Sequence, residues 1–248
     1  MLVDFCLPIK NEALILEGSL NKLVAYCEQA GFDFSWRIIG VINGSNDASP
    51  DILQDFKRRF PDRIDFMEIP EPGRGRALKK YWSASPADIL SYMDCDLAVS
   101  LDNLPALIRP LVADEADLVI GSRLTAGASA QRSLFRGFVS HAYNLLSRLL
   151  LSYKVTDLQC GFKAVRRETF QRIKPYLVDD YWFFDTELTI LAKHFGFRVK
   201  QISVNWQENR YQCRPSTVKV WRDSWDFLKN LTAFRRRLKK ITKYPGNV

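Results

Sequence analysis

Ser91-Tyr92-Met93-Asp94-Cys95-Asp96-Leu97 is the stretch that decides how this chain folds. The apolar run 89–93 predicts a buried strand, with two carboxylates one residue apart at its carboxyl end. Alternate side chains of an extended segment point the same way, so Asp94 and Asp96 share a face. Two anions this close repel unless a cation lies between them. A lone D-x-D also reads as a pair of solvated loop acids, so its surroundings have to discriminate.

Upstream and downstream of that strand, strands alternate with helices. The patterning predicts strands over 2–7, 37–42, 63–69 and 117–121, and helices over 13–28, 47–60, 77–85 and 103–112. Pro8 is expected to end the first strand, Asn11 to cap the first helix, Gly31 to stop it and Pro61 to close the second. Apolar strands without tight hairpin signals predict an α/β fold, a mostly parallel central sheet with helices on both faces. Ligands collect at the carboxyl ends of such strands. Three of those ends carry polar residues here, at 8–12, 43–47 and 94–96. Gly73-Arg74-Gly75-Arg76 reads either as a phosphate-accepting turn charged by its arginines or as a plain loop before a helix.

The second half has a different texture. An amphipathic helix is predicted over 133–152, with Arg132, Arg136 and Arg148 along it. A turn and strand follow over 156–167, a helix over 186–195 ended by Gly196, and a strand over 197–206. The final helix, 218–241, places Trp221, Trp225, Leu228, Leu231 and Leu238 on one face and Arg222, Lys229, Arg236 and Lys240 on the other. Two readings stand for it: a packed helix with a solvated basic face, or an interfacial helix meeting anionic lipid.

Of 36 Lys/Arg and 28 Asp/Glu in 248 residues, ten and two respectively lie from Arg214 onward. The first 213 residues are therefore formally neutral, and the net charge of +8 belongs to the tail. That argues against a nucleic-acid-binding core and for an anionic surface meeting one end of the molecule. Five cysteines, odd in number and without C-x-x-C spacing, read as reduced thiols in a cytoplasmic setting. No signal peptide is expected, nor a membrane span, because 134–151 is interrupted by Arg136, His141, Asn144 and Arg148. His141 and His194 read as packing or surface histidines.

The ordered set of motifs resembles a known family. Pro8-Ile9-Lys10-Asn11-Glu12, Asn43-Gly44-Ser45-Asn46-Asp47, Gly73-Arg74-Gly75-Arg76-Ala77-Leu78, Met93-Asp94-Cys95-Asp96-Leu97 and Gly121-Ser122-Arg123 follow the order and spacing of inverting family 2 glycosyltransferases. Arg136-x-x-x-Ser140-x-x-x-Asn144, Asp157-Leu158-Gln159-Cys160-Gly161-Phe162-Lys163-Ala164, Phe184-Asp185-Thr186-Glu187-Leu188 and Ser216-Thr217-Val218-Lys219 look like the branch that makes dolichyl- or polyprenyl-phosphate sugars. The resemblance spans about 2–230 and implies the Rossmann-like GT-A fold. It implies a catalytic domain over 1–213 and a basic amphipathic segment over 214–248 within one compact unit.

The resemblance also implies roles. Asp94 and Asp96 would hold Mg²⁺ or Mn²⁺ against the diphosphate of a nucleotide sugar. Pro8, Lys10, Glu12 and Asn43 would line the base and ribose pocket, with Gly75 and Arg76 near the phosphates. Arg123, Arg136 and Ser140 match positions that grip an acceptor lipid phosphate, for which the arginine fork is well shaped. Arg210, Arg214 and Lys219 either close over the diphosphate or belong to the basic tail. Asp157, Asp185 and Glu187 would position acceptor or sugar. For a hydroxyl acceptor, the alternative reading, one of them would be the general base. A third reading is a non-catalytic membrane or scaffolding module. Three departures stand out. Ile42-Asn43-Gly44-Ser45 replaces the usual Asp-Asp-Gly-Ser, Ala98 replaces a further polar metal ligand, and the multi-helix anchor of many relatives is not expected. The implied setting is peripheral, on the cytoplasmic face of a membrane.

Overall fold

The computed structural model describes residues 1–125, 128–131, 146–147, 150–151, 153, 155–207 and 220–241. Strands and helices alternate through the first half: β1 Leu2–Ile9, α1 Ala13–Gln29, β2 Ser35–Asn43, α2 Ser49–Arg59, β3 Ile64–Ile69, α3 Arg74–Ala84, β4 Ile89–Met93, α4 Leu104–Val112 and β5 Leu118–Ser122. The described second half adds β6 Ser129–Gln131, β7 Phe162–Arg166, α5 Arg167–Ile173, α6 Phe184–His194, β8 Val199–Ser203, β9 Asn205–Gln207 and α7 Val220–Leu238. Seven strands form one sheet in the order β3-β2-β1-β4-β7-β5-β8, and β6 pairs with β9 apart from it.

The period-two pattern of β1 builds both layers. Val3, Phe5, Leu7 and Ile9 join the core shared with α1, α2 and α4. Cys6 points the other way, into the core shared with α3, α6 and α7. The sheet is parallel as expected, except for β7, which runs antiparallel between β4 and β5. That inversion sets up the site. It brings the turn before Phe162 to the same edge as the carboxyl ends of β1, β2, β4 and β5, with Met93 opposite Phe162.

Several boundaries differ from expectation for local reasons. Pro8 lies within β1, opposite Val41 of β2. Pairing with β4 stops at Cys6, so the missing N–H falls where β1 has a free side. Asn11 does not cap α1. It sits at φ 55°, and its Oδ1 accepts the Asn46 N–H at 2.9 Å. The Ala13 N–H is satisfied instead by Asp47 Oδ2 across the β2–α2 loop, at 2.8 Å. α3 starts at Arg74, so much of the glycine-rich stretch is its first turn. The strand predicted over 197–206 splits at Val204 into two sheets.

Among the described residues of α7, Leu231, Phe234 and Leu238 are buried, while Lys229, Arg235, Arg236, Lys239 and Lys240 are exposed. This half of the helix packs its apolar face on the protein. Trp221, Trp225 and Arg222 lie outside the residues whose side chains are described, as do His141 and Cys213. The other four cysteines are buried and form no disulfide. His194 packs between the Tyr153 hydroxyl at 2.8 Å and the Ile241 carbonyl at 3.0 Å.

At the opposite, amino edge, Asp4 is fully buried in β1. It accepts two bonds from Arg37 at 3.0 Å, one from the Tyr81 hydroxyl at 2.7 Å and one from Ser85 at 2.5 Å. Removing the carboxylate strands these donors, Arg37 less so because a quarter of it faces water. Asp4→Ala is expected to lower the unfolding free energy by about 3 kcal/mol in a urea titration.

Candidate active site

β4 delivers Asp94 and Asp96 into a tight turn. Leu97 sits at φ 50°, a conformation costing about 1–2 kcal/mol for a non-glycine residue. Its N–H bonds the Asp94 carbonyl at 3.0 Å, and its side chain is buried. The Ala98 N–H bonds Asp96 Oδ1 at 3.0 Å. The turn before β7 lies against Asp94 so closely that a Cβ on Gly161 would stand 2.3 Å from Asp94 Oδ2. Only glycine fits there, and the space it leaves belongs to the carboxylate.

Arg74, at the start of α3, reaches across this edge. Its guanidinium donates to Asp94 Oδ1 at 2.9 Å and to Asp185. It also lies 4.1 Å from the centre of the Trp182 ring. Burial works against its charge, but the two carboxylates outweigh burial and raise its pKa. Its Nε–H is buried with no hydrogen-bond partner among the described residues. A buried arginine donor without an acceptor favours an anion.

Asp185, in the first turn of α6, is fully buried and anchors that arginine. It accepts from Arg74, from the Tyr92 hydroxyl and from Lys163 Nζ, the last at 2.7 Å. Lys163 is itself fully buried in β7. Its other two protons go to the carbonyls of Leu158 at 3.1 Å and Cys160 at 2.6 Å. Burial pushes Asp185 up to about 7, opposed by Arg74, and pushes Lys163 down to about 7.

A second closed pair flanks the first. Arg123, just past β5, grips Asp157 with Nε at 2.7 Å, Nη2 at 2.9 Å and its backbone N–H at 3.1 Å. Asp157 is fully buried. Burial opposes the charge of Arg123, yet Asp157 holds its pKa above the usual value.

For a divalent cation, the donor set is two carboxylates. Among the described residues, no three His, Cys, Asp or Glu side chains gather as a metal cluster. Asp94, with 42% of its side chain exposed, and Asp96, partly exposed, suit a hard cation that takes its other ligands from phosphate oxygens and water.

The profile of glycosyl transferase family 2 matches residues 4–174. The chain belongs to glycosyl transferase family 2. Glycosyltransferase AglD of Haloferax volcanii is 35% identical over 206 residues, which are 83% of this chain and 33% of that protein. The dolichyl-phosphate beta-glucosyltransferase of Drosophila melanogaster is 30% identical over 213 residues, 81% of this chain and 65% of its own length. The chain thus spans less than two thirds of these relatives. Among solved structures, glucosyl-3-phosphoglycerate synthase of Mycobacterium tuberculosis with Mn²⁺, UDP-glucose and phosphoglyceric acid aligns at TM-score 0.64 and 18% identity, over 97% of this chain and 80% of that one. The mannosyltransferase PcManGT of Pyrobaculum calidifontis with GDP-Man and Mn²⁺ aligns at 0.60 and 18%, over 95% and 64%. Both neighbours share the GT-A-type fold.

In this family 2 chain, the edge gathers Asp94, Asp157, Asp185 and Arg123, joined through Arg74 and the 157–161 turn. Asp96 follows in the β4 turn, Pro8 lies near the end of β1, and Lys10 and Glu12 follow that strand. Asn43 has its amide wholly engaged with backbone. Nδ2 donates to the Ile9 carbonyl at 2.9 Å and the Val41 carbonyl at 3.4 Å, and Oδ1 accepts the Gly73 N–H at 3.0 Å. An aspartate there could not donate, which gives the asparagine a physical reason. Gly75 and Arg76 are not in an open phosphate cradle. A Cβ on Gly75 would stand 2.7 Å from Phe184 Cβ, and Arg76 pairs with Asp180 at 2.8 Å. Glu187 is buried, holding the N–H groups of Val178 at 2.7 Å and Asp179 at 2.9 Å, together with Arg237. It braces the loop before α6 instead of facing the β4 turn. Arg136, Ser140, Arg210, Arg214 and Lys219 lie outside the described residues.

Sequence reasoning gave no individual role to Arg74, Tyr92, Lys163 or Trp182. A lysine in an otherwise apolar strand, Phe162 to Val165, was the available signal for Lys163. Gly161→Ala is expected to weaken Mn²⁺ binding about 10- to 100-fold by calorimetry with a nucleoside diphosphate present, while circular dichroism stays unchanged. Lys163→Met leaves Asp185 short of a counter-charge and two carbonyls unpaired. It should lower the unfolding free energy by about 3–5 kcal/mol in a denaturant titration.

Proposed function

We propose that this chain is a metal-dependent inverting glycosyltransferase that moves a sugar from a nucleotide-diphosphate sugar to a polyprenyl, dolichyl-like, phosphate. The observation that carries the reading is the edge itself. The partly exposed Asp94 pairs with a buried arginine whose Nε–H lacks an acceptor among the described residues, and Asp96 follows in the same turn. A diphosphate with its cation supplies what both sides require. The family and the names of the similar dolichyl-phosphate beta-glucosyltransferases support the lipid-phosphate acceptor.

Asp94 and Asp96 would hold Mg²⁺ or Mn²⁺, which when bound neutralises the charge developing on the departing diphosphate. Arg74, fixed by Asp185, presents a cation to that diphosphate from the side of α3. Arg123, fixed by Asp157, is the cation available to an acceptor phosphate. Pro8, Lys10, Glu12 and Asn43 shape the nucleotide end, Asn43 by bracing the Gly73 turn.

The candidate bases also favour a phosphate acceptor. Asp157 is clamped by Arg123, Asp185 by three donors, and Glu187 by two backbone N–H groups and Arg237. A phosphate is anionic at neutral pH and attacks without a strong base, so positioning and charge neutralisation suffice. A hydroxyl acceptor would require one of these acids to leave its partners. Residues 1–213 would form the catalytic unit, and 214–248 the segment nearest a membrane surface on its cytoplasmic face. Among the described residues, no helix is long and apolar enough to cross a membrane.

The test screens UDP-glucose, GDP-mannose and related donors with short-chain polyprenyl phosphate, reading product by mass. Product is expected only with Mg²⁺ or Mn²⁺ present, and chelation should abolish it. Asp94→Asn should lower kcat/KM at least about 100-fold. Product formed only with hydroxyl acceptors, or undiminished by chelation, overturns the reading.

A further inference from the structure

Seven large hydrophobic side chains stand exposed among the described residues, and four of them fall within 176–182: Tyr176, Val178, Tyr181 and Trp182. The loop is held firmly from beneath. Glu187 takes the N–H groups of Val178 and Asp179, and Asp179 Oδ1 takes those of Tyr181 at 2.7 Å and Phe184 at 3.1 Å. Asp180 is neutralised by Arg76 and Lys79, both at 2.8 Å. The loop thus turns its acids inward and its apolar side chains out.

α7 runs alongside. Its Asn230 reaches Asp179 at 3.4 Å, and its Arg237 pairs with Glu187. Its Phe227 and Phe234 rings lie 6.3 and 5.7 Å from Phe183. One position before Arg237 stands Arg236, exposed, with Lys240 one turn on and Arg235 and Lys239 beside them, all exposed. A tethered Tyr/Trp loop beside an exposed cationic stripe, Arg235, Arg236, Lys239 and Lys240, has the chemistry of a surface meeting anionic lipid, with rings at headgroup level and cations on phosphates.

We propose that the 176–182 loop, flanked by the cations of α7, docks this protein on an anionic lipid surface. Trp182 belongs to both surface and site, because its ring stacks on Arg74. Docking therefore sets the Arg74 edge of the site at the interface. The proposal deepens the reading above and rests on it only for the identity of the acceptor.

The full chain is sedimented with phosphatidylcholine vesicles, with and without phosphatidylglycerol. Turnover of short-chain acceptor is measured in parallel, and thermal melts check folding. Binding is expected to require phosphatidylglycerol. The double variant Val178→Ser, Tyr181→Ser should bind about tenfold or more weakly. Arg235→Gln with Arg236→Gln should lose about tenfold. Both pairs should keep short-chain turnover. Vesicle binding unchanged in the loop variant, or equal on the two vesicle types, overturns the proposal. So does a loop-dependent dimer in sedimentation velocity without vesicle binding. Vesicle binding without turnover of any lipid phosphate overturns the functional reading alone, and turnover without vesicle binding overturns docking alone.

Discussion

A carboxylate with no access to water has to find donors, and Asp185 is that carboxylate. Desolvating an ion costs several kcal/mol unless counter-charge and hydrogen bonds replace water. Asp185 draws its replacements from three elements: Arg74 of α3, Tyr92 of β4 and Lys163 of β7. Its place in the first turn of α6 adds the favourable end of a helix dipole. Both faces of the sheet edge are thereby tied to one point, and Arg74 emerges from that point already aimed at Asp94.

The antiparallel strand makes the arrangement possible. Were β7 parallel, its preceding turn would lie at the far edge of the sheet. Neither Gly161 nor Asp157 could then reach the β4 and β5 ends. With β7 inverted, Lys163 stands between Tyr92 and Ile120 in register. The carbonyls of Leu158 and Cys160 then fold back onto its ammonium. One buried lysine therefore shapes the turn and neutralises the acid behind the site.

Much of this was legible in the sequence where the signal is local. β4 was placed at 89–93 from its apolar run, and α1 from its spacing and Gly31. The carboxylates at 94 and 96 were located because they end that strand. What could not be read was pairing across distance. Nothing near residue 74 indicates that its partner is residue 185, and Phe162 to Arg166 carries the same apolar pattern in either direction. Asn11 failed as a cap for the same reason: the acceptor for α1 comes from Asp47, on another loop. Glu187 was read as a site residue from its motif, but its carboxylate is turned to backbone N–H groups that no local pattern announces.

Among the described residues, the charges at this edge are arranged as closed pairs with one buried arginine donor left over. Asp157 neutralises Arg123, and Asp185 is met by Lys163 and Arg74. Asp94 shares Arg74, and that arginine keeps a buried N–H unspent. A neutral ligand would disturb these pairs and return nothing for the desolvation. An anion that brings its own cation leaves each pair satisfied. In the proposed reading the cation would sit on the exposed part of the Asp94 carboxylate, with the diphosphate on the side of Arg74. That balance of charge is what the proposed metal-bound diphosphate would meet.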